Sequence, residues 1–275
     1  MVMPQPQLSG LPAPSVVGAA QLPHPLPVAQ LRSIGTALQA VEALRAAGRA
    51  QSVLHQAVMA IKRAQCHRFR RSYADVLTHP DWGAAAAFFL QELYGDRDYT
   101  HRDMQFGRIA PAMQRLFPAS VLGVATTLTQ LHAVSEQLDY AMGAALVALQ
   151  APGVTELDAL AAYVQTWRAV SLPAVRAEQF ALVLELGHAL AQLVRTPGLR
   201  TMLRMMRGTA NAAGLQDLQH FLETGFDTFA ALQRSKSGVV GFLTVVEQRE
   251  QAWMTRLFDP GLTNTYSAQL WPELE

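Results

Sequence analysis

Residues 213–232 read AGLQDLQHFLETGFDTFAAL. Leu215, Leu218, Leu222 and Phe229 recur at steps of three and four, and Gln216, His220, Glu223 and Asp227 fall on the opposite side. That is the period of an amphipathic helix with one face against a core. The same period runs through the rest of the chain, and no segment alternates at two. The expected fold is therefore all-α: a single multi-helix bundle of about nine or ten helices.

The breaks fall at turn chemistry. One helix is expected over 28–48, closed by Gly48, and the next over 50–78. Pro80 should open another that Gly95 stops. Thr100 with Asp103 resembles a capping box starting a helix over 101–117, with Pro111 kinking it. A long helix should cover 119–150, ending at Pro152–Gly153. Thr155 and Asp158 should start one that runs to about 170. Pro173 opens a helix to 195, Pro197 a short one to 207, and 213–232 and 238–258 complete the set. This gives a helical domain over 28–258, with a leader at 1–27 that carries seven prolines and a tail at 259–275.

Composition narrows the function classes. Half of the 275 residues are apolar, only 16% are charged, and the net charge is +1. No global field draws nucleic acid or an anionic membrane. KRAQCHRFRR (62–71) is basic, but its charges spread right around a helix, so no nucleic-acid partner is expected. The uncharged run from Leu116 to Ser135 contains Pro118, three threonines, Gln130 and His132, which favours a buried core helix over a membrane span. Cys66 is the only cysteine, which excludes an intramolecular disulfide and fits a reducing, cytoplasmic setting. Phosphate-binding glycine loops, GxSxG and HExxH are absent.

Two groups of polar residues stand out. On helix 50–78 the stripe Leu54, Val58, Ile61, Phe69 and Val76 also carries Gln65 and Arg68. A guanidinium on a core-facing stripe needs a carboxylate. The stretch FFLQELYGDRDYTHRD (88–103) supplies several. The expectation is one polar network in which Gln65, Arg68, Arg71, Tyr73 and Asp75 meet Tyr94, Asp98, Arg102 and Asp103, with Asp98 or Asp103 pairing Arg68. The second group is His132/Glu136, Glu185/His188 and Asp217/His220 with Glu223, pairs at one-turn spacing of the kind helical di-iron sites use. Helical periodicity puts the last two sets on polar, solvent-facing stripes, so no metal and no cofactor is expected.

QxxRFxRSYADxL (65–77), FFxxxLYGxxDxxxRD (88–103), RIxP (108–111) and AGLxxLQxFLExGF (213–226) together resemble an uncharacterised bacterial all-helical family. The resemblance spans roughly 50–258 and implies a helical fold and a bacterial origin, but no catalytic residue. The expected function is a non-catalytic binding or scaffolding protein that uses the 65–103 network or self-associates through a helix face. The alternative is a helical metal- or haem-dependent oxidoreductase, with His132 or His188 as a haem ligand.

Overall fold

The computed structural model describes residues 27–93, 95–149 and 156–259. Of the expectations above, most of the leader, Tyr94, the Pro152–Gly153 break with Thr155, and all but the first residue of the tail lie outside them. The described residues are helical and contain no strand.

Helix α1 (Ile34–Arg49) starts later than its apolar pattern does; Val28–Gln30 is only a 3-10 turn. Ser33 sets the boundary. Its Oγ accepts from the Thr36 amide and the Thr36 Oγ1 accepts from the Ser33 amide, both at 3.1 Å, so two otherwise orphaned donors are satisfied. The expected helix over 50–78 divides at Tyr73 into α2 (Ser52–Ser72) and α3 (Ala74–Leu77). Helix α4 (Gly83–Phe88) begins after Pro80 and runs into a π-helical turn, Phe89–Leu93. Gly95 follows: a Cβ there would stand 2.1 Å from the Tyr99 hydroxyl, so only glycine lets the chain turn against that ring.

Helix α5 (Thr100–Leu116) runs through Pro111. Its expected capping box does not form. Tyr99 is the N-cap, Asp98 Oδ1 accepts from the Thr100 amide at 2.9 Å, and the Asp103 carboxylate is engaged elsewhere. Next come α6 (Ala119–Leu149), α7 (Glu156–Val170) and α8 (Pro173–Leu193), the last with proline in its first turn. The short helix α9 (Leu199–Met205) falls within the one expected to 207, a further short helix α10 (Arg207–Ala212) follows it where none is expected, and α11 (Gln216–Arg234) and α12 (Gly238–Phe258) close the fold.

Helix α6 is the axis of the bundle. It carries no charge before Glu136, and it packs on α1, α2, α7 and α8. A helix apolar on nearly every side is stable only when covered on every side. Gly143 allows the closest approach: a Cβ there would lie 2.5 Å from Val58 Cγ2 and 3.0 Å from the Val58 amide nitrogen. Among the described residues no helix is long and apolar enough to cross a membrane. Cys66 is fully buried, and burial pushes its thiol up to about 11.

Candidate polar site

His132, Glu136 and Asp139 are spaced i, i+4 and i+7, so they share one face of α6. Three other elements deliver partners to it. From α1, the Arg45 guanidinium donates to Asp103 Oδ2 at 2.9 Å and to Glu136 Oε1 at 3.0 Å. From α2, Lys62 Nζ donates to the same Glu136 oxygen at 2.6 Å, and Gln65 Nε2 to Asp139 Oδ1 at 2.8 Å. From α5, Asp103 Oδ2 also lies 2.7 Å from His132 Nε2. The side chains of Arg45, Lys62, Asp103, His132 and Glu136 are 8–12% exposed, so this is an ionic cluster inside the bundle.

The cluster fixes its own charge states. Burial opposes ionisation of Glu136, but Lys62, His132 and Arg45 outweigh it and hold the carboxyl down at about 2. Burial likewise opposes ionisation of Asp103, and His132, Arg102 and Arg45 together hold it well below the usual range. Asp139 goes the other way: burial dominates, Lys62 offsets only part of it, and its carboxyl is raised.

On the α1–α2 side the cluster faces a cavity of about 250 Å³. Arg45, Lys62 and Glu136 line it together with Arg49, Arg97 and Asp98. Lys62 donates to Glu136 and to no other protein atom among the described residues, although an ammonium has three donors. On the other side, the Arg102 guanidinium lies 4.3 Å from the Tyr99 ring and 4.7 Å from the Phe221 ring, and donates to the Glu92 carbonyl at 3.0 Å.

The single expected network is thus divided. Arg68 does not meet Asp98 or Asp103. It forms a two-pronged pair with Glu250 of α12, both contacts at 3.0 Å, and the Tyr73 hydroxyl donates to the same carboxylate at 2.9 Å. Asp75 takes Arg249 of α12 at 2.6 and 2.7 Å. The reason is helical phase. Lys62 and Arg68 are six residues apart, about 120° around α2, so the helix turns Lys62 towards α6 and Arg68 towards α12. Arg71 sits on the exposed side of α2. Gln65, Asp98, Arg102 and Asp103 belong to the α6 cluster or its margin.

The metal-candidate residues are scattered. Glu185, His188, Asp217 and His220 are exposed, as their helical phase requires. Glu223 pairs with Arg207, and Asp217 with His101. His132 and Glu136 are buried, but as members of the ionic cluster. Among the described residues no three His, Cys, Asp or Glu side chains are grouped to hold a metal ion. Sequence reasoning missed Arg45 and Lys62 as site residues. One available signal was that Lys62 is one of only two lysines in an arginine-rich chain.

Fold and site define an all-helical protein with a buried ionic cluster opening on a polar cavity. The chain belongs to the family described as Domain of unknown function (DUF8198), which matches residues 44–262. No curated protein and no solved structure matches it.

Proposed function

We propose that the protein is a non-catalytic cytoplasmic binding protein, and that the cavity floored by Arg45, Lys62 and Glu136 receives the oxyanion group of a small molecule. One observation carries the reading. Lys62 is nearly buried beside a cavity of about 250 Å³ and spends a single donor on protein. Buried donors are normally satisfied, so an acceptor belongs in that space. Arg97 and Arg49, the latter paired with Glu42, also line the cavity, and both cations of the floor are positioned before a ligand arrives. The lone buried thiol of Cys66 fits a reducing compartment.

The test is thermal unfolding of the full chain titrated with inorganic phosphate and, separately, with succinate at constant ionic strength. Saturating ligand at about 100 times its Kd should add roughly 2.7 kcal/mol, or about 5–10 °C. Lys62→Met should abolish the shift while still unfolding cooperatively. A shift no larger than chloride gives, or an equal one in Lys62→Met, would sink the proposal.

A further inference from the structure

A second cavity, of about 180 Å³, lies between α5, α6, α8, α9, α10 and α11 and shares no lining residue with the polar one. Twenty-seven residues line it, and only Thr209 and Gln219 have polar side chains. Gln219 is already engaged, since its amide donates to the Leu203 carbonyl and to Glu223, both at 2.7 Å. No charged group faces the space. Apolar voids of this size stay dry and accept hydrocarbon.

The segment that covers it is bounded by a glycine at each end. Helices α9 and α10 lie between Gly198 (φ 79°) and Gly214 (φ 67°), both in the left-handed region. Leu199, Leu203, Met206 and Ala210 recur at steps of three and four and turn inward to the cavity. On the outer side, Arg200 pairs with Asp227 at 2.7 Å and Arg207 with Glu223 at 2.5 Å, both on α11. Exposed pairs of this kind hold weakly. The flap therefore has a glycine at each end, an apolar inner face, and ties to α11 through these two ion pairs and the Gln219–Leu203 hydrogen bond.

We propose that this cavity is a binding site for the alkyl chain of a small molecule, admitted by opening of the α9–α10 flap. The lining disfavours charged ligands and offers a polar group only Thr209 and Gln219, so an uncharged hydrocarbon portion is what it fits. The site is separate from the polar cavity and does not depend on its occupancy.

The test is a fluorescence titration of the full chain with N-phenyl-1-naphthylamine, followed by displacement with 1-decanol. Saturable one-to-one binding and displacement are expected. Ala125→Phe and Ala210→Phe place a ring in the cavity from two different helices, α6 and α10. Each should weaken the probe by about tenfold or more while the protein still melts cooperatively. Lys62→Met should leave probe affinity within about twofold, because no residue lines both cavities. Arg200→Ala combined with Arg207→Ala should speed probe association. Absence of saturable binding by the native chain overturns the site, as does either filled variant binding as well as the native chain once shown to be folded. Unchanged association in that double variant overturns the flap as the route.

Discussion

Arg68→Met is the substitution that tests the packing of α12 most directly. Methionine keeps most of the arginine stem and its contact with the neighbouring apolar surface. It removes both guanidinium contacts to Glu250, each 3.0 Å, and the charge that lies 5.5 Å from the Trp253 ring. Glu250 then keeps only the Tyr73 hydroxyl, while its side chain stays 21% exposed. Breaking a buried pair costs about 3–5 kcal/mol, and this residual exposure puts the expected loss near the lower end, about 3 kcal/mol. In a chain of this length that is roughly a 6–12 °C fall in melting temperature. The assay is urea unfolding at pH 7, with the slope checked for constancy so that the midpoint reports stability alone. Arg68→Met combined with Glu250→Met should cost less than the sum of the two single changes, by about 1–3 kcal/mol. A single-variant loss under about 0.5 kcal/mol, or strict additivity, would refute the claim that this pair is a buried structural tie.

Gly143→Ala should destabilise by about 3 kcal/mol, because the new Cβ meets the α2 backbone at Val58 and not just a side chain that can turn away. Adding Val58→Ala should recover only part of the loss, as chemical denaturation would show; full recovery would mean that the backbone approach is not limiting. Stability should also fall in acid. Glu136 titrates at about 2 in the folded chain against an ordinary 4.5, so its contribution of about 3 kcal/mol is complete above pH 4.5 and is lost as pH falls towards 2. Asp103, also lowered, acts in the same direction. Unfolding measured between pH 6 and 2 should therefore be less acid-sensitive in Glu136→Gln than in the native chain; an unchanged acid limb would place the loss at other carboxylates.

The helices were legible in the sequence because helical order depends on local periodicity and punctuation. Leu215, Leu218, Leu222 and Phe229 mark α11 without reference to any other part of the chain, and Pro173 marks the start of α8. The exposure of Glu185, His188 and His220 followed from the same phase argument. Boundaries were less secure where two local signals competed: the Ser33–Thr36 cap overrode an apolar pattern that began earlier, and the Asp103 carboxylate left its expected cap for Arg45 and His132. The pairing of charges was not legible at all. Arg68 and Glu250 are 182 residues apart, and nothing local to either says that α12 lies beside α2. Which carboxylate meets which cation depends on helix phase combined with the relative placement of helices, and the latter is set by how the apolar faces of α6 are covered. For the same reason Arg45, Lys62 and Glu136 became one site only in three dimensions, each supplied by a different helix and none marked in the sequence as a partner of the other two.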